Sequence, residues 1–248
     1  MPEPGPRAAF RLTAVTISLM LVVAGGAAGT TFFAARRAMK ELVRAELTGV
    51  ASLVAADLGG SGAATIAALR PGDETTADFM NLRNRLARMR SSHPDFRYIH
   101  VMRRTAAGQV EFVVDADYGN KADPGAAIGQ VYWEVTPALL AGFDHPAADE
   151  KVAKDQWGSF LSGFAPIRSP DGTVVGIVGV DMTDDRLTAK ERVDGALTYA
   201  ILGLGILTAG LLASVLHLRV AREHFGRGAQ VTATGSRESE ETLADVWQ

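Results

Sequence analysis

The chain has 248 residues, 25 basic and 28 acidic side chains, a formal net charge of −3 and no cysteine. That length fits one folded domain better than two. The near-neutral balance gives no reason to expect a nucleic-acid partner, and the missing cysteines exclude disulfides, a thiol nucleophile and thiolate metal sites.

The apolar residues are not spread evenly. Leu12 to Ala35 is a run of 24 positions without a charged residue. A bilayer-spanning helix takes roughly 20 such residues. A cleaved signal peptide is the competing reading, but its apolar region is typically about 7–15 residues. This run is longer and passes through Phe32 and Phe33 into Arg36-Arg37, which favours an uncleaved transmembrane helix over residues 12–35, with 1–11 before it.

Beyond the span, Met39, Leu42, Val43, Leu47, Val50, Val54 and Leu58 recur at three- and four-residue steps, the pattern of an amphipathic helix. Gly59-Gly60 supplies its stop. A loop containing Pro71-Gly72 follows. Thr75 or Thr76 then caps a second helix, with Phe79, Leu82, Leu86 and Met89 on one face and Arg83, Arg85, Arg88 and Arg90 on the rest. Ser91-Ser92-His93-Pro94 ends it. The period then changes to two. Phe96–Arg103 and Gln109–Asp115 are strand candidates, with Thr105-Ala106-Ala107-Gly108 as a hairpin turn between them. A Gly-, Asp-, Asn- and Pro-rich loop runs to Gln130, and a short helix is predicted within Trp133–Ala141. Trp157–Ile167 and Thr173–Met182 are the next strands, joined by Ser169-Pro170-Asp171-Gly172, in which Pro fixes φ and Gly permits a positive one. Thr183 caps a helix that starts at Asp184 and runs through Arg192.

Gly195 to Leu218 is a second run of 24 residues without a charge, with His217 its only ionisable group, and reads as a second transmembrane helix over 195–218. Arg219, Arg222 and Arg227 follow it, placing both termini in the cytoplasm and residues 36–190 outside the cytoplasmic membrane. Arg36, Arg37, Lys40 and Arg44 oppose that orientation, but charge counting is weak for long translocated regions. Small pairs in both spans (Gly25 with Gly29, Gly205 with Ala209, Gly210 with Ser214) fit close helix approach, as well as the general abundance of Gly and Ala in membrane helices. The tail, 219–248, reads as disordered.

Antiparallel strands with segregated helices make the central region an α+β domain. Three stretches carry a family resemblance. Phe96-Arg97-Tyr98-Ile99-His100-Val101-Met102, followed by Phe112-Val113-Val114-Asp115-Ala116-Asp117, resembles the central hairpin of extracytoplasmic PAS-like sensor domains, the PDC or single Cache domains of bacterial membrane receptors. Asp155-Gln156-Trp157-Gly158, continued by Ser162-Gly163-Phe164-Ala165-Pro166, and Asp171-Gly172 through Gly179-Val180-Asp181 resemble two further stretches of that family. The resemblance implies a PAS-like antiparallel sheet with a long N-terminal helix. It also implies a small-molecule ligand, a carboxylate or an amino acid, held on one side of the sheet. Its further implications are a homodimer in the bilayer and a signal passed to a separate cytoplasmic partner. About 30 residues follow Leu218, and they hold no kinase His-box, ATP-binding glycine motif or Gly-Gly-Asp-Glu-Phe pattern. That leaves three readings: an orphan sensor, the sensor half of a longer kinase, cyclase or chemotaxis receptor, or an accessory membrane protein that keeps the fold without a ligand. A polar, convergent pocket separates the first two from the last.

Seven residues are ligand candidates. Tyr98 and His100 share a strand face with Met102. Trp157 begins the next strand, with Ser162 on its opposite face unless a bulge intervenes. Arg103, like Arg97, suits a carboxylate because a guanidinium matches it bidentately. Asp115 and Asp117 suit an amine or cation. The structural alternatives stay open: core aromatics for Tyr98 and Trp157, a solvated strand edge for the arginines, turn capping for the aspartates. Asp181 reads as a helix cap or loop brace. No cofactor and no metal site is expected, since the five histidines show no ligating spacing. Gly158–Gly163 is not a Gly-x-Ser-x-Gly elbow, and an enzyme is the poorer reading.

Overall fold

Helix α1 (Pro6–Leu58) is one uninterrupted helix of 53 residues. Within residues 41–58 its buried positions are Val43, Leu47, Ala51, Val54, Ala55 and Leu58, at three- and four-residue steps, whereas Leu42, which the sequence pattern groups with them, is exposed. It stops where predicted. Gly60 takes the left-handed conformation at φ 59°, and its N–H donates to the Arg168 carbonyl at 3.0 Å. The computed structural model describes residues 6–190, 199–201, 203–215, 218 and 219. The chain divides into two compact units, one of them Ala35–Asp194 and the other drawn from the segments on either side.

In the Ala35–Asp194 unit a short helix, α2 (Gly62–Ala68), follows where the sequence predicts loop. Thr76 caps α3 (Ala77–Ser91), its Oγ1 accepting from the Phe79 N–H at 3.3 Å. The main strands are β1 (Tyr98–Arg104), β2 (Val110–Asp115), β6 (Ser159–Arg168) and β7 (Val174–Thr183). Three two-residue strands, β3 (Val131–Tyr132), β4 (Ala147–Ala148) and β5 (Ala153–Lys154), and one helix, α4 (Pro137–Ala141), lie between β2 and β6. All pairings are antiparallel, and the sheet order is β3-β2-β1-β7-β6-β4, with β5 also on β6. Gly108 and Gly172 take positive φ at the two hairpin turns. The domain is α+β, an antiparallel sheet behind a long N-terminal helix, the fold class expected from the sequence.

Strand alternation splits the sheet into two faces. Ile99, Val101, Leu161, Ala165, Val178, Val180 and Met182 pack with residues of α1, α2 and α3 in the larger core. Met102, Phe112, Phe164 and Ile177 point the other way and join Leu139 and Phe143 in a smaller core. Residues 184–190 are helical, directly after β7. The continuation to Arg192, part of the 195–218 span and nearly all of the 219–248 tail lie outside the described residues.

Candidate functional site

The smaller face holds a cavity lined by Tyr98, His100, Met102, Phe112, Asp115, Gly125, Tyr132, Leu139, Asp155, Trp157, Ser162, Phe164 and Asp181. About 30 Å³ of it admits the centre of a water molecule. Register explains the convergence. Tyr98 and Ser162 both pair with Asp181, and His100 and Phe164 both pair with Gly179, so two rows cross β1, β7 and β6 on one face. Phe112 and Asp115 are three residues apart, a spacing that normally puts side chains on opposite faces. A bulge resolves this: Val101 pairs with Val114 but Met102 with Phe112, leaving Val113 as the extra residue.

His100 is 6% exposed. Its Nδ1 lies 3.6 Å from an Asp181 carboxylate oxygen, Phe112 packs edge-on against the ring at 5.2 Å, and Nε2 is buried without a hydrogen-bond partner. A Cβ at Gly179 would collide with this imidazole, so the glycine makes room for it. Asp181 is buried, and its carboxyl is pushed up from the ordinary range. Burial is the main cause, partly offset by His100 and by a hydrogen bond from Ser162. Three rings form another wall: Tyr132 stacks on Trp157 at 6.2 Å, and Phe112 meets them edge-on at 5.8 and 5.5 Å. Asp155 holds this wall in place. One of its carboxylate oxygens accepts from the Trp157 and Gly158 N–H groups at 2.8 and 3.0 Å, the other from the Tyr132 hydroxyl at 3.0 Å. The Tyr132 phenol is pushed up by burial first and by the Asp155 charge next.

Of the seven candidates, the cavity gathers Tyr98, His100, Asp115, Trp157 and Ser162 and leaves out Arg103 and Asp117. Arg103 lies opposite Glu111 across the hairpin; its Nε donates to that carboxylate at 2.7 Å and Nη1 to the Leu69 carbonyl at 2.8 Å. Asp117 is buried against Arg90 at 2.9 Å. Its own N–H donates to Asp115 at 2.8 Å and its carbonyl accepts from Asn120 and Gly125, so bracing is its role. Asp115 both braces and lines, its second oxygen accepting from the Ala126 N–H at 3.0 Å. Arg97 pairs with Asp123 and lies over the Tyr98 ring.

Two readings of the alternation are corrected. Strand β6 begins at Ser159, so Trp157 stands before it, turned by the Asp155 carboxylate and by Gly158 at φ 151°. Ser162 and Trp157 therefore share the cavity. Asp181 lies within β7, which runs on to Thr183, and faces the cavity rather than bracing a loop. Sequence reasoning also passed over Phe112, Tyr132 and Asp155. For Asp155 a signal existed: Asp two residues before Trp-Gly is the pattern of an Asx turn.

No protein-family model and no curated protein matches the chain. Among solved structures, the ligand-binding domain of the Campylobacter jejuni chemoreceptor Tlp3 in complex with L-valine matches with TM-score 0.44 and 14% identity, over 71% of this chain and 65% of that one. The E. coli DcuS sensor domain matches at 0.43 and 14%, over 61% and 96%, and the V. cholerae histidine kinase DctB sensor domain at 0.47 and 8%, over 70% and 60%. The chain thus spans less than two thirds of the Tlp3 and DctB chains. All three are ligand-binding or sensor domains by their own descriptions. Likenesses this distant carry no residue roles across, so the roles here follow from this chain's own geometry.

Proposed function

We propose that the chain is a membrane-anchored sensor whose Ala35–Asp194 unit lies outside the cytoplasm and binds a small molecule in the Tyr98–His100–Asp181 cavity. The observation that carries this is the cavity itself: buried polar groups from β1, β2, β6 and β7 converge on one face with an aromatic wall. Such convergence is the mark of a ligand pocket, and an accessory protein without a ligand would have filled the space with apolar side chains.

Anchoring rests on α1. It is long and apolar enough to cross a bilayer, and Val15, Leu19, Val22 and Phe33 are exposed on it. The segment Tyr199–Val215 is apolar helix where it is described, which supports a second crossing over 195–218 and cytoplasmic termini. Farther along α1, Leu42 and Leu53 are 62% and 73% exposed with Ala45 and Gly49 between them, a stripe that a second copy of the chain would cover. The signal would pass to a cytoplasmic partner or to an output region of a longer receptor.

Two measurements test the reading on the full chain in detergent micelles or membranes. A thermal-shift panel of carboxylates, amino acids, amines and divalent cations should give a reproducible rise with one class, about 2.7 kcal/mol at a hundred times Kd, and the rise should vanish in His100→Ala. Because the chain has no cysteine, single cysteines report topology directly. Lys121→Cys should react with a membrane-impermeant maleimide on intact cells, and Ser236→Cys only after lysis. No shift across the panel, or the reverse labelling pattern, defeats the reading.

A further inference from the structure

We infer that the cavity selects a small organic ammonium and discriminates against carboxylates. This rests on the ligand-binding reading above and names the chemical class that the site accepts.

The hydrogen-bonding inventory of the lining is lopsided. Three carboxylates face the space, from Asp115, Asp155 and Asp181, and no lysine or arginine does. Three hydroxyls line it: Tyr98 gives its proton to Asp123 at 2.7 Å, Tyr132 gives its proton to Asp155 at 3.0 Å, and Ser162 sits opposite Asp181 in the sheet. What these groups offer a newcomer is lone pairs. The buried Nε2 of His100 points the same way. Nδ1 lies 3.6 Å from the Asp181 carboxylate; with the ring proton on that side Nε2 is an acceptor, and Nε2 has no hydrogen-bond partner. A buried acceptor without a donor costs free energy comparable to a lost hydrogen bond. An incoming N–H satisfies it, whereas a carboxylate ligand adds a fourth carboxylate to a site already rich in acceptors.

Charge and shape agree. No lysine or arginine lines the space to balance an incoming anion, and an unbalanced anion beside carboxylates is repelled strongly where water is scarce. The negative field also registers on neighbours, since the phenols of Tyr132 and Tyr98 are both pushed up, by burial first and then by surrounding aspartates. The rings of Phe112, Tyr132 and Trp157 present π faces and edges of the kind that hold cations. Among the described residues no three acidic or histidine side chains converge closely enough to hold a metal ion, so the cation that fits is one whose N–H groups reach several separate acceptors. The narrow free space limits it to a short carbon skeleton.

The test uses n-propylammonium, propionate, n-propanol and alanine, which share a three-carbon skeleton and differ in their charged groups. The full chain in micelles, with Trp133→Phe and Trp247→Phe, leaves Trp157 as the reporter. Propylammonium is expected to change Trp157 emission with a Kd at least tenfold below that of propionate or propanol, and both Asp155→Asn and Asp181→Asn should weaken it at least tenfold. Arg103→Ala, outside the cavity, should leave it within twofold. Propionate binding as tightly as propylammonium, or alanine binding where propylammonium does not, overturns the ammonium assignment and leaves the pocket reading intact. No response to any of these probes or to the wider panel overturns both.

Discussion

Gly179 sits in the middle of β7, paired with His100 on β1 and Phe164 on β6. Its φ is not positive, so alanine meets no backbone penalty there. The obstacle to a Cβ is the His100 imidazole. That ring has little room to retreat, with Phe112 edge-on at 5.2 Å and Asp181 at 3.6 Å. Overfilling a packed interior costs about 1–3 kcal/mol, and a ring fenced on two sides puts Gly179→Ala near the top, about 2–3 kcal/mol. Each kcal/mol moves the unfolding midpoint of a domain this size by about 2–4 °C, so a drop of about 4–12 °C is expected. Removing the ring removes the obstacle. In Gly179→Ala with His100→Ala the two losses should fall short of their sum by about 1–2 kcal/mol. The assay is thermal unfolding of the full chain in micelles, followed by circular dichroism and tryptophan emission, for both single variants and the double. A drop below about 2 °C for Gly179→Ala, or strictly additive losses in the double, would refute the packing account of this cavity.

Four further outcomes follow from the same geometry. Asp181 binds its proton more tightly folded than unfolded, so its contribution is full below about pH 4 and is lost as pH climbs through the raised folded value. The midpoint of the ligand-free chain should therefore fall with rising pH, less steeply in Asp181→Asn, although His100, Asp115 and Asp155 also face this group; an unchanged slope would assign the effect elsewhere. Asp123 pins the 118–125 loop to Arg97 and Tyr98, so Asp123→Ala should speed amide hydrogen exchange there several-fold while β7 amides stay protected, and equal exchange would show that the loop is held by its ends alone. Lys190 reaches Glu46 at 2.9 Å and Asp95 at 3.0 Å, but all three are partly exposed, so Lys190→Ala should cost under about 1 kcal/mol and less in high salt. Arg90→Ala strands the buried Asp117 carboxylate and should cost about 3 kcal/mol in urea unfolding; a loss near that of Lys190→Ala would show that the Asp117 N–H network suffices without its cation.

Local signals carried most of the fold. The stop of α1 at Gly59-Gly60, the Thr76 cap and both hairpin turns each depend on a few adjacent residues, and each is where the sequence puts it. Helix α2 escaped because Gly62–Ala68 is short and rich in small residues, without an apolar period, and β3, β4 and β5 are two residues each, too short for any period to register. The cavity was legible only in part. Strand parity found Tyr98 and His100, but parity fails at a bulge, and the extra Val113 is what brings Phe112 round to join Asp115. The Arg103 error was avoidable. Given a turn at Thr105–Gly108 with Gly108 as its left-handed extra residue, the hairpin register sets Arg103 opposite Glu111, and an arginine facing a glutamate across a strand pair is already spent. Asp181 was the harder case, since its role depends on the row formed with Tyr98 and Ser162, and the pairing with Tyr98 spans 83 positions that no local pattern encodes.

The same rows tie the cavity to α1. Ser162 lines the cavity, and the next residue, Gly163, faces the opposite side, where a Cβ would lie 2.6 Å from that of Leu47 and 2.7 Å from its backbone carbonyl carbon. Helix and strand are therefore in near-backbone contact one residue away from a cavity wall. Packed interiors rearrange between discrete states rather than stretching, so a ligand that moves the Ser162–Asp181 row must carry the seat of α1 with it. Gly163→Ala tests this link. It should displace α1 and cost about 1–3 kcal/mol, and because coupling between two sites is reciprocal the displaced helix should also change probe affinity at Trp157, by more than about threefold. If Gly163→Ala leaves affinity unchanged while α1 shifts, the cavity row moves independently of the helix seat, and occupancy has no route to α1 through Gly163.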